Sequence, residues 1–144
     1  MRKEKSFGVI PIRETPAGRR YLLVQHRKGH WGFPKGKPLP GAGETPLVTA
    51  LRELREETGI TDARIDESPV FTESYIFTKK KTGEVVDKIV TYYLGRVQRE
   101  DVTIMPGELL DFAWGDAAQT AAKLTYPESR RLFEAVLGHL STPR

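Results

Sequence analysis

The sequence predicts an α/β domain of the α+β kind, a mixed central β-sheet with helices packed on it. Two observations predict it. Strand-like and helix-like runs follow one another as strands, helix, strands, helix, the order expected of a sheet covered by helices. The helical runs also keep apolar residues one face apart, so each has a side to bury. With 144 residues, 38% of them hydrophobic, the chain is long enough to enclose one core. No repeat, linker or low-complexity tail divides it, so a single domain over residues 1–144 is expected.

Residues 5–13, KSFGVIPIR, and 21–26, YLLVQH, read as strands joined by a turn that Pro16 and Gly18 punctuate. The following stretch, KGHWGFPKGKPLPGAGE, is so rich in glycine and proline that neither helix nor strand is expected. A helix then begins. Thr45 is a suitable N-cap, Pro46 suits the first helical position, and Gly59 marks the stop. Leu47, Ala50, Leu51 and Leu54 recur at i, i+3, i+4 and i+7 as its buried face. Two strands, SPVFTESYIFTK and EVVDKIVTYYLGRV, flank a hairpin turn at KKTGE. A loop, QREDVTIMPGELL, leads to a short strand, DFAW. Helices DAAQTAAKL and YPESRRLFEAVLGHL close the chain, the last with Leu132, Val136 and Leu140 inward.

Composition narrows the chemistry. Zero cysteines exclude disulfides, thiolate metal sites and cysteine nucleophiles. No apolar run is long enough to span a bilayer, and the first residues lack the apolar stretch of a signal peptide, so the expected compartment is the cytoplasm and no membrane partner is expected. A net charge of +4 favours anionic partners without choosing among nucleotide, nucleic acid and lipid.

The segment LRELREETGI crowds Glu53, Glu56 and Glu57 onto one short piece of helix. At about 100° per residue, with Arg52 at zero, Glu56 falls at about 40°, Glu53 at about 100° and Glu57 at about 140°. The three carboxylates share one sector at the edge of the apolar face. Such a cluster is either a solvated face laced by i,i+4 ion pairs such as Arg52–Glu56 or a site for a hard, partly hydrated cation, Mg²⁺ or Mn²⁺. The loop upstream, FPKGKPLPGAGE, is rich in glycine and lysine, as phosphate-handling loops are, and this favours the cation.

The stretch GKPLPGAGETPLVTALRELREETGI resembles the Nudix box, the signature of Nudix hydrolases. Glu44, seven residues, then Arg-Glu-aliphatic-x-Glu-Glu-x-Gly-aliphatic match that pattern position by position. Seven residues, not the family's five, separate Gly36 from Glu44, so counting back five would put Pro38 where the glycine belongs. The resemblance runs over nearly the whole chain and implies a Nudix αβα sandwich. It implies divalent-metal-dependent hydrolysis of a nucleoside diphosphate linked to another group. Glu53, Glu56 and Glu57 would hold the metal, with the Gly36 carbonyl as a further contact. Arg52 would orient the carboxylates, and Glu44 would assist from outside the metal's own ligands. Metal would neutralise phosphate charge and acidify and align a water for attack at phosphorus. Glu53 and Glu108, the latter in IMPGELLDFAW, are rival bases.

Three further stretches, HWGFPKG, KIVTYYL and LTYPESRRLFEAV, resemble the asymmetrical diadenosine tetraphosphate hydrolases. That family usually has histidine after FPKG, where Lys37 stands here. The resemblance implies cleavage of diadenosine tetraphosphate to ATP and AMP. Lys35, Lys37 and Lys88 would meet the phosphates, with His30 as a further donor. Tyr126 with Tyr75, Phe77 or Tyr92 would stack on adenine. Inositol pyrophosphates, 5′-triphosphate RNA and nucleoside triphosphates are alternative substrates. A nucleotide-sensing module without hydrolysis is the reading from another class, but such modules are expected to have lost box acids that are all present here.

Overall fold

The first strand, β1 (Arg2–Thr15), runs through the middle of the sheet. Its centre, Val9-Ile10-Pro11-Ile12, is apolar on both sides, as a strand covered on both faces requires; Val9, Ile10 and Ile12 are fully buried. In this computed structural model residues 1–141 are described, so the last three of the expected domain lie outside it. β1 pairs antiparallel with β2 (Gly18–His26) and parallel with β6 (Val85–Arg96), from Arg2↔Val86 to Ile12↔Arg96. β5 (Arg64–Thr78) pairs antiparallel with β6, with an irregularity between Asp66 and Phe71. β7 (Leu109–Gly115) pairs antiparallel with β2. The expected mixed sheet is therefore present.

The loop expected to lack strands holds two short ones, β3 (Trp31–Gly32) and β4 (Lys35–Gly36). β3 pairs with β2 and β4 with β1. Local breakers argued against them, but backbone pairing to existing strands decided the matter.

Helix α1 (Pro46–Thr58) lies against one face of the sheet, where Val9, Leu22, Ala50, Leu54, Ile60 and Val97 form a core. Helices α2 (Ala117–Lys123) and α3 (Pro127–Leu140) cover the other, over Ile10, Ile12, Phe33, Val90, Tyr92, Leu94, Leu132, Phe133 and Val136. The result is an α/β/α sandwich. Thr45 caps α1, accepting from the Val48 N–H at 3.2 Å, and Gly59, at φ 75°, closes it with an N–H bond to the Arg55 carbonyl. The buried face of α1 is turned from the expected one. Leu51 is exposed and Leu47 only half-buried, whereas Thr49, Ala50, Leu54, Glu57 and Thr58 are buried. The sheet thus receives part of the acid sector. Among the described residues no helix is long and apolar enough to cross a membrane.

Candidate active site

Arg52 organises the acids of α1. Its Nε donates to Glu44 Oε2 at 2.7 Å and its Nη2 to Glu44 Oε1 at 3.0 Å, a two-pronged pairing that suits the flat guanidinium. Nη1 donates to Glu53 Oε1 at 2.9 Å and to Glu56 Oε2 at 3.0 Å, and Nη2 also reaches the Lys37 carbonyl at 2.8 Å. Glu44 further accepts from the Leu39 N–H and the Thr49 hydroxyl, both at 3.0 Å. The Arg52 hydrogen bonds, then the Leu39 N–H, hold the Glu44 carboxyl down at about 2. Glu44 is therefore a clamp on the box loop and on Arg52. The extra residues of that loop turn outward, the Ala42 N–H donating to the Leu39 carbonyl.

Gly36 on β4 lies directly against Glu53 of α1. A Cβ at position 36 would overlap the Glu53 carboxyl group. The absence of a side chain there leaves the Glu53 carboxyl its place beside β4. Glu57 is buried, and its Oε1 has no hydrogen-bond partner among the described residues. Burial first, then the negative charge of Glu53, pushes the Glu57 carboxyl well above the ordinary carboxylate range. Burial likewise raises Glu53, against the pull of Arg52. Two acids thus crowd together, one of them with an oxygen left bare. This fits a hard divalent cation with Glu53, Glu57 and the Gly36 carbonyl among its residues. Glu56 is exposed and shares the Arg52 Nη1 with Glu53, whose own carboxyl feels the charge of Glu56 on one side and crowds Glu57 on the other. Among the described residues no group of three acidic or histidine side chains stands ready-made as a cage. Glu108 is exposed on the turn before β7 and makes no side-chain hydrogen bond or ion pair with the described residues.

On the opposite face a cavity of about 350 Å³ opens between β5, β6 and the start of α3. Glu73, Tyr75 and Phe77 line it from alternate positions of β5, and Lys88 lines it from β6, directly across from Tyr75. Tyr126, Glu128 and Ser129 come from the start of α3, and Lys28 and His30 from the loop after β2. Tyr126 is 45% exposed, and its ring centre lies 5.1 Å from that of His30. His30 in turn stacks on His26 at 4.6 Å. Burial and the nearby Lys35 lower both imidazoles, His26 to about 3, so both are neutral near pH 7. Lys88 is buried without an ion pair to the described residues; burial, then the charges of Lys35 and Lys37, bring it down to about 8.

Tyr92 is placed differently from the expectation. It is 2% exposed, packed edge-on against Phe33 at 5.7 Å, and its hydroxyl donates to Glu73 Oε1 at 3.4 Å. Its ring belongs to the core and has no free face for a base; Tyr75 and Tyr126 do face the cavity. Lys37 is exposed along its side chain, and its Nζ is paired with the buried Glu4 at 2.8 Å, beside Lys79 at 3.2 Å. Lys35 lies between the two regions: burial lowers it, and the charges of Glu57, Glu73 and Glu53 oppose that fall. Sequence reasoning passed over Lys28, Glu73, Glu128 and Ser129. The alternation of Glu73, Tyr75 and Phe77 along a strand was the signal for Glu73.

A box helix over one face of the sheet, its acids bunched against a glycine, defines a Nudix architecture. The NUDIX domain model matches residues 2–136, so the chain belongs to the Nudix family. The asymmetrical bis(5′-nucleosyl)-tetraphosphatase of Rattus norvegicus is 38% identical over 86 residues, 58% of this chain and 54% of that protein. The chain spans about half the length of such curated relatives. The C. elegans Ap4A hydrolase, solved as a binary complex, matches with a TM-score of 0.79 and 26% identity over 96% of this chain and 98% of that one. The NUDIX domain of Shewanella oneidensis NrtR, solved with ADP ribose, matches with a TM-score of 0.78 over 98% of this chain and 90% of that one; at 19% identity it shares the fold.

Proposed function

We propose that this chain is a metal-dependent hydrolase of nucleoside polyphosphates, cleaving diadenosine tetraphosphate to ATP and AMP in the cytoplasm. The observation that carries this reading is the pairing of two charge-unbalanced regions. Glu53 and Glu57 crowd negative charge beneath α1, and the lysine-bearing, aromatic-walled cavity on the other face suits an anion, with Lys35 between them. The similarity to asymmetrical diadenosine tetraphosphate hydrolases supports the substrate.

Glu53, Glu56, Glu57 and the Gly36 carbonyl would hold Mg²⁺ or Mn²⁺, which when bound would offset phosphate charge and acidify an attacking water. Arg52 keeps Glu53 in place through its 2.9 Å hydrogen bond. Glu53, half-buried and raised above the ordinary carboxylate range, is the acceptor for that water's proton, and its place beside Gly36 favours it over Glu108. Lys35 and Lys88 neutralise the phosphate chain, and Tyr75 and Tyr126 offer ring faces to a base. Inositol pyrophosphate would leave those rings unused. The test is incubation with Mg²⁺ and diadenosine tetraphosphate beside other diphosphate-linked compounds, with the products identified. ATP plus AMP, formed fastest from the tetraphosphate, is the expected result; faster turnover of another compound would move the substrate.

A further inference from the structure

Glu73 stands outside the hydrogen-bonded acid network of α1 and makes no ion pair with the described residues, although its charge is felt at Lys35. It is 8% exposed on β5, at the wall of the 350 Å³ cavity. Its Oε1 accepts from the Tyr92 hydroxyl at 3.4 Å and its Oε2 from the Ser129 hydroxyl at 2.9 Å. Each carboxylate oxygen has two acceptor sites, so both keep one to spare.

A carboxylate beside a polyphosphate site imposes an orientation. It repels phosphate, so the phosphate chain belongs at the Lys88 end of the cavity. A ligand group that reaches Glu73 covers its spare acceptor sites, and a hydrogen-bond donor there offsets the cost of taking them from water. Tyr75 stands two residues along the same strand face, and Tyr126 lies across the cavity. A group with a flat face for those rings and donors on its rim fits both demands. A nucleoside is such a group, with the exocyclic amine of adenine and the ribose hydroxyls as its donors.

We infer that Glu73 is a specificity-determining residue whose carboxylate accepts a hydrogen bond from the substrate's nucleoside and so selects adenosine over nucleosides that lack the donor. The inference rests on the nucleotide reading above. The competing role is a tie between β5 and α3 through Ser129, and the Ser129→Ala variant separates the two because it cuts the tie and leaves the acceptor.

Equilibrium binding by calorimetry tests it, with ATP, ITP, 2′-deoxy-ATP and 3′-deoxy-ATP as probes on the parent chain, Glu73→Gln and Ser129→Ala. The parent chain is expected to bind ATP about 10–100-fold more tightly than the analogue without the matching donor, the range of a charged hydrogen bond. Preference over ITP would assign the amine, and preference over a deoxy analogue the hydroxyl. Glu73→Gln should shrink that ratio severalfold while Ser129→Ala preserves it. Equal binding of all four probes, a full ratio in Glu73→Gln, or the same loss in both variants would overturn the inference. Binding is read without turnover. A chain that selects ATP yet cleaves no diadenosine tetraphosphate would therefore end the hydrolase reading and keep Glu73, and cleavage without any nucleoside preference would do the reverse.

Discussion

The two faces of the sheet carry opposite imbalances. Beneath α1, Arg52 bonds Glu44, Glu53 and Glu56, yet Glu57 stays buried with an oxygen unpartnered among the described residues. Beneath α3, Lys88 is buried and makes no ion pair with the described residues, while Glu73 beside it is held by the hydroxyls of Tyr92 and Ser129. Buried charges are ordinarily paired, because leaving one bare costs several kcal/mol or forces a shift in its pKa. Both shifts are present: the acid is raised and the lysine lowered. One face suits a cation and the other an anion, and a metal with a polyphosphate supplies both. At Glu4, by contrast, the balance is local: Lys37 and Lys79 hold its carboxyl down at about 2.

Breaking the acid side should have the largest effect. Glu57→Gln is expected to lower kcat by more than about 100-fold, beyond the 10–100-fold cost of disturbing a metal's outer partners. The unfolding temperature should hold, since burial raises the Glu57 carboxyl to about 9 and the neutral amide matches its shape. A large fall in melting temperature alongside the lost turnover would assign Glu57 to the fold instead. Gly36→Ala comes next. The added methyl must displace the Glu53 carboxyl, so activity should drop about 10–100-fold while circular dichroism stays native. Full activity in the Gly36→Ala variant would separate Glu53 from the chemistry.

The cation side should respond less. Lys88→Ala is expected to raise KM for a tetraphosphate about 10-fold, and for a diphosphate less. Equal shifts on both substrates would remove Lys88 from the phosphate site. The pH dependence has a definite sign. Lys88 is charged below about 8, so affinity for the anion should be full below that pH and weaken above it. In Lys88→Ala this alkaline limb should flatten; an unchanged limb would belong to another group. The same shift acts on stability in the other direction. A lysine whose folded pKa lies below its ordinary 10.5 weighs against the fold at low pH, and that penalty is relieved as pH rises from about 8 to 10.5.

The smallest effect is expected at Glu4. Its depressed pKa contributes stability that is present above pH 4.5 and lost between 4.5 and about 2. Acid unfolding of Glu4→Gln should start from a lower stability at pH 7 and show a shallower fall across that window.

Much of this was legible in the chain. Helix α1, with Thr45, Pro46 and Gly59 at its ends, follows from local capping chemistry, and the β5–β6 hairpin from alternation around a turn. The acid cluster was legible because its spacing is local to one helix. What was not legible depends on distant pairing. β3 and β4 exist through β2 and β1, and the face of α1 was set by what the sheet received, not by Leu47 and Leu51. Tyr92 was assigned to stacking by resemblance; it shares the strand face of Lys88 but lies four residues further along, where Phe33 packs edge-on against it. Glu73 and Ser129 are 56 residues apart and meet only in the fold.

The most direct measurement is calorimetric titration of Mn²⁺ into the parent chain and into Glu57→Gln. The account requires one site in the parent chain and, with a ligand removed, an affinity at least about 10-fold weaker in the variant. Equal affinity in both would mean that the bare acid beneath α1 awaits something other than a cation.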